Sequence, residues 1–193
     1  GNMMAIGEVI ESTTAEFTAE ARRYDQVPAY GSFVKVRDGN ILIYGIVSGA
    51  YTGSMDGVSK AKAFFKSLEE LKMEQPQIFE LLRTEFSCVV VGYEEAGRYH
   101  PYYPPSHPRL HLPVEEADDL EVLTISQYLN YLDKTLNDPS GNGEELTAAV
   151  IRTTARLQTD PRAYVIKVGR ELLRIMNYDT QRLKSVFERV DIV

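Results

Sequence analysis

The sequence predicts an α+β fold: a small N-terminal β-barrel followed by a C-terminal α-helical bundle. Two observations carry this expectation. Between residues 6 and 47, short β-branched runs alternate with tight polar turns. Beyond residue 122, apolar residues recur at helical spacing to the end of the chain. At 193 residues the chain has room for one good core or two small ones. The expected division is a barrel over 3–114 and a helical domain over 122–193.

The strands come first. "IGEVIES" (6–12) and "EFTAEAR" (16–22) flank the polar turn Thr13–Ala15. In "SFVKVR" (32–37), Phe33, Lys35 and Arg37 share one face while Val34 and Val36 share the other, the period-2 pattern of a half-buried strand. Asp38-Gly39-Asn40 supplies turn chemistry, and "ILIYGIV" (41–47) returns as its partner. The middle then changes character. "SKAKAFFKSLEEL" (59–71) has helical composition, with a capping-box pattern at Ser67–Glu70 that would restart a helix there. Pro76 opens a second helical stretch, 76–85. "FSCVVVGY" (86–93) is an apolar strand that returns to the barrel.

A proline-rich strap follows at 98–113, and then the acidic run "EEADDLE" (115–121), which reads as a solvated junction with few contacts across it. Ile125, Leu129, Leu132 and Leu136 form one stripe of a helix whose start Thr124–Gln127 can cap. After the loop 137–143 comes a helix over 144–158. Asp160-Pro161 starts a helix that places Val165, Val168, Leu172 and Ile175 inward. Asp179 starts the last, with Leu183, Val186, Phe187 and Val190 on one face.

Composition narrows the function classes. The chain is 44% hydrophobic and 25% charged, without tryptophan, and no apolar run approaches the ~18 residues that cross a bilayer. No charged-then-apolar leader opens it, and Gly1 reads as a tag remnant. The single Cys88 excludes an internal disulfide and fits a reducing cytoplasm. Net charge is −7, unevenly spread: residues 1–150 hold 12 basic and 23 acidic side chains, residues 151–193 hold nine and five. An acidic body with a basic tail suggests two functional faces.

Most chemical motifs fail on spacing. His100, His107 and His111 fall inside the strap, where zinc would need about four ligands. No Cys, Asp or Glu lies between 98 and 114, and five prolines favour an extended path that spreads side chains apart. A metal there needs a distant carboxylate. Asp138, Ser140, Asn142 and Gly143 imitate a calcium loop, but Ala149 stands where the twelfth-position glutamate belongs. "GSMDGVSK" (53–60) lacks the order of a phosphate-binding loop. Glu70-Leu71-Lys72 matches a short nuclease pattern at chance level, and Glu115, Glu116, Asp118 and Asp119 fit a solvated run better than a cation site. Cys88 reads as a small buried hydrophobe, since residues 87–91 offer no base. The expectation is a protein with no catalytic residue, cofactor or metal. Arg152 and Arg156, one helical turn apart, and Lys167, Arg170 and Arg174, at i, i+3 and i+7, are the candidates for anion or nucleic-acid contact.

The front half resembles a known family. "IGEVIESTTAEFTAEA" and "YGSFVKVRDGNILIYGIVSGA" are similar to the HAS barrel, shared by HerA-type helicases and ATP synthase subunits. The resemblance rests on Ile6, Gly7 and Val9, then Ser12–Thr14 and Glu16-Phe17, Gly31 with Val34-Lys35-Val36, and Gly45 with Val47. The strap "YYPPSHPRLHLP" resembles the one that closes such barrels, so the match reaches about residue 115. HerA-type proteins continue into an ATPase domain, whereas this chain continues into helices; it looks like a stand-alone bacterial HAS-barrel protein. The resemblance implies a non-enzymatic interaction or assembly module with a protein partner, a homo-oligomer being possible. It transfers no catalytic residues. The alternative is a nucleic-acid-associated accessory protein working through the basic helices.

Overall fold

The computed structural model describes residues 4–55 and 60–191. Its front half is a closed barrel. β1 (Gly7–Ser12) and β2 (Glu16–Ala21) form a hairpin whose turn is held by Thr13 Oγ1, which accepts the N–H groups of Ala15 and Glu16 at 3.2 and 3.1 Å. β3 (Phe33–Asp38) and β4 (Ile41–Ser54) form a second, with Gly39 at φ 61° supplying the left-handed turn residue. β5 (Leu82–Glu95), β6 (Arg98–His100) and β7 (Pro113–Glu116) complete the sheet. The order β2-β1-β7-β3-β4-β5 closes by pairing β5 back onto β2, and β6 hangs on the free edge of β5. Closure removes most edges, the usual solution for a small antiparallel barrel.

Alternation along the strands fills two separate spaces. Val9, Phe17, Val34, Val36, Ile43, Phe86, Cys88 and Val90 point inward and pack the barrel. Phe33, Leu42, Tyr44, Ile46, Val89 and Val91 point outward, from the same strands, and join the helices in a second core.

Those helices are α3 (Asp119–Ser126), α4 (Tyr131–Leu136), α5 (Gly143–Ala155), α6 (Pro161–Ile175) and α7 (Thr180–Phe187). Asp160 and Asp179 cap α6 and α7 as expected, accepting the N–H groups of Ala163 and Arg182. Val168, Leu172, Val186 and Val190 are buried, while Val165, Ile175, Leu183 and Phe187 pack partly buried against them. Instead of few contacts across the junction, the outer wall β3-β4-β5 is the floor of the helical core.

Several local expectations need correction. The acidic run is not a linker. Glu115 and Glu116 belong to β7, and Asp118 caps α3 in a reciprocal box with Glu121. Acidic side chains at a helix start meet its positive end, which turns a repelling run into a favourable one. The single helix through Ile125–Leu136 is two. Ser126 Oγ and Gln127 Nε2 both donate to Leu123 O, competing for the last-turn carbonyls and ending α3.

Helix 59–71 shrinks to α1 (Leu68–Glu74); residue 59 lies outside the described residues. The restart at Ser67 holds: its side chain accepts the Glu70 N–H, and its extended backbone (φ −67°, ψ 156°) begins α1, so nothing before it continues into that helix. The helix expected over 76–85 is the single turn α2 (Gln77–Glu80), because pairing along the full length of β4 draws Leu82 onward into β5.

Candidate interaction surface

The β4–β5 hairpin is much longer than the barrel wall requires. Residues 41–46 of β4 pair with β3 and residues 49–54 only with β5; β5 stays in the barrel wall to Glu85, which pairs with Glu20 of β2, so 52–54 and 82–84 run past the wall as a short arm. Register breaks at Tyr44/Gly45 and Val47/Gly49 bend the strand where it leaves the wall. α1 and α2 belong to the connection at the arm's far end. The ring of Phe79 on α2 lies 5.6 Å from that of Tyr24, which ties the connection to the segment after β2.

This arm carries apolar side chains that bury nothing of their own. Phe65 is 98% exposed, Met73 84% and Tyr51 65%, and Met55, Leu68 and Leu81 are exposed as well. Phe65 also holds φ 56°, the left-handed region that an aromatic residue adopts rarely. At roughly 150–200 Å² for a fully exposed large side chain, these six present on the order of 700 Å². α1 buries only Leu71, and α2 buries none of its residues. The sequence reading took this segment for helix; its exposed apolar content was visible, but its projection from the barrel depends on the β4–β5 register.

The residues singled out in the sequence fall elsewhere, mostly into internal partnerships. His100 stacks on Tyr93 at 4.7 Å, and its Nδ1 lies 3.1 Å from Tyr102 Oη. His111 Nδ1 lies 2.9 Å from Glu8 Oε2 on β1, and His107 borders an open groove beside Ser12 and Ser87. The three do not converge. The strap instead seals a barrel seam: His111 N–H donates to Val9 O, and Arg109 donates from its backbone N–H and Nε to the two carboxylate oxygens of Asp38. Among the described residues no group of three or more His, Cys, Asp or Glu is placed to share a metal ion.

Cys88 faces the barrel interior with no exposure, and burial pushes its thiol pKa well up. Asp138, Ser140 and Asn142 bond to one another, Ser140 Oγ donating to Asp138 Oδ2 at 2.5 Å, and so form a self-contained turn. Glu70 and Lys72 lie on α1. Of "GSMDGVSK", residues 56–59 lie outside the described residues.

The five basic candidates divide. Arg152 donates to Arg189 O, inside the helical packing, and Arg174 pairs with Glu171 on its own helix. Arg156, Lys167 and Arg170 are exposed.

At the barrel–helix junction, Glu121 gathers three donors: Lys35 Nζ at 2.7 Å, Tyr44 Oη at 2.6 Å and the Asp118 N–H at 2.9 Å. Every oxygen is used, so this cluster pins α3 to the barrel wall rather than waiting for a ligand.

A family comparison fits this geometry. The HAS barrel domain family matches from Ile6, just before β1, to Arg98, the first residue of β6. Residues 6–98 are similar to a HAS barrel domain. The matched span includes the arm. It stops short of most of the strap, which the sequence resemblance had included to about residue 115. The helices α3–α7 lie outside it. The HAS barrel is a fold module often involved in interactions. No curated protein matches the chain. No helix among the described residues is long and apolar enough to cross a membrane.

Proposed function

We propose that the chain is a non-enzymatic interaction or assembly module of the cytoplasm, and that it docks a protein partner on the β4–β5 arm. The exposed apolar surface of the arm carries this reading. Leaving Phe65, Leu68 and Met73 in water stabilises nothing in the chain itself, whereas burying each against a partner is worth about 1.5–3 kcal/mol. The basic positions on α5 and α6 support a nucleic-acid reading less well, since two of the five are engaged within the chain.

The experiment compares intact protein with the Phe65→Ser, Leu68→Ser, Met73→Ser triple variant, each immobilised and exposed to a lysate of the source cells. Proteins retained by the wild type are expected to fall by at least about tenfold on the variant. The melting curve is expected to be unchanged, because the three side chains are exposed. Equal retention by both proteins would overturn the assignment to the arm.

A further inference from the structure

We infer that the outer half of β4 is a self-pairing edge, on which a second copy of the chain docks antiparallel across a two-fold axis at Tyr51. The inference rests on the reading of the arm as the interaction surface and names its occupant.

The backbone shows which groups are offered. Met55 N–H donates to Leu81 O at 2.8 Å, and the register from Gly49↔Ser87 to Ser54↔Leu82 is unbroken. Antiparallel pairs alternate between bonded and non-bonded, so residues 49, 51 and 53 exchange hydrogen bonds with β5. The N–H and C=O groups of Ala50 and Thr52 therefore point away from β5. The β3 side of β4 is occupied only to Val47, where Val47 N–H meets Ser32 O and Gly31 N–H meets Val47 O. Beyond it, Ala50, Tyr51 and Thr52 are exposed.

Natural edges are protected by charge, proline or shortness. This one lacks the first two: Ile46–Met55 contains no charged residue and no proline, and the bulge at Val47/Gly49 lies before the free stretch 49–54. That neutrality selects the occupant. A two-fold contact sets each residue against itself or its near neighbour, so any charge on the strand would face its own sign. A foreign strand imposes no such condition. Elsewhere two copies of a chain of net charge −7 repel, most of all across β1 and β2, which carry Glu8, Glu11, Glu16 and Glu20.

The register follows from the free groups. Ala50 pairs with Thr52 of the second copy, and Thr52 with its Ala50, giving four backbone hydrogen bonds. Tyr51 then stands opposite its counterpart at a non-bonded position, with Cβ atoms about 4.5–5.5 Å apart. Its ring already lies along the sheet face over Gly53, where a Cβ would fall 2.3 Å from the tyrosine hydroxyl, and so leaves the edge open.

The test is the mass of the intact protein by light scattering, from micromolar to several hundred micromolar. The expected mass rises from 21.8 kDa towards twice that value. High salt does not lower it, because backbone pairing and apolar contact are not screened as ion pairs are, and screening the repulsion between two acidic chains favours the dimer. Ala50→Pro removes an outward N–H, and Tyr51→Lys sets like charges face to face. Both variants are expected to remain at the single-chain mass, with far-ultraviolet dichroism and melting, taken at micromolar concentration where the wild type is a single chain, as in the wild type.

A wild type that stays monomeric, a dimer that salt dissociates, or folded variants that still dimerise would each overturn the inference. A monomer that nevertheless captures a different protein through the arm would overturn the self-pairing alone. A monomer that captures nothing would remove the interaction reading with it.

Discussion

Tyr131→Ala is expected to lower stability by about 3–5 kcal/mol, the cost of truncating a fully buried aromatic residue. Tyr131 is 1% exposed, and its ring meets Phe33 of β3 edge-on at 6.4 Å. Its hydroxyl lies 2.6 Å from that of Tyr164, which in turn donates to Ser126 O at 3.0 Å. Truncation therefore opens a cavity between barrel and helices and removes the hydrogen bond to Tyr164. At roughly 2–4 °C per kcal/mol for a chain of this size, the melting midpoint falls by about 10 °C. Since β3, β4 and β5 share this core with α3–α7, helical and strand signals are expected to be lost in one transition. A variant whose helices melt while the barrel persists would contradict the shared core.

Glu121→Ala is expected to cost about 2–4 kcal/mol, because it strands a partly buried lysine and a tyrosine hydroxyl. Lys35 and Glu121 side chains are 21% and 18% exposed, which places the effect below that of a fully buried pair. The capping box of α3 loses its returning carboxylate in the same substitution. The cluster also sets an alkaline limit. Burial, and next the bond to Glu121, push the Tyr44 pKa up from its ordinary 10.0. The unfolded chain releases this proton above about pH 10 while the folded protein keeps it, so stability falls as pH rises past that value. Chemical denaturation of wild type and variant at neutral and alkaline pH measures both effects.

The barrel was legible in the sequence because its strands announce themselves locally. Thr13–Ala15 and Gly39 mark the turns, and Val34/Val36 against Phe33/Lys35 give both faces of β3. The outward row Phe33, Leu42, Tyr44 and Ile46 was equally visible, but its partner was not, since packing helices against a barrel wall is a long-range event. The caps Asp160 and Asp179 worked because capping is local. Asp118 was missed: its acidic neighbours read as a charge run until β7 places Asp118 at a helix start. The arm was hidden for a related reason. Residues 76–85 carry helical composition, and only the register of β4 against β5 turns Leu82–Glu85 into strand. Histidine clustering in sequence proved uninformative about space, since an extended strap gives each ring a different neighbour.

The most direct test of the account is site-specific photo-cross-linking. A photoreactive residue replaces Phe65 on the arm, Glu11 on β1 or Arg170 on α6, one at a time, in the intact chain inside the source cells. The account predicts adducts from position 65, to a second copy or to another protein, with little from positions 11 and 170. Adducts confined to position 11 or 170, with none from 65, would contradict it.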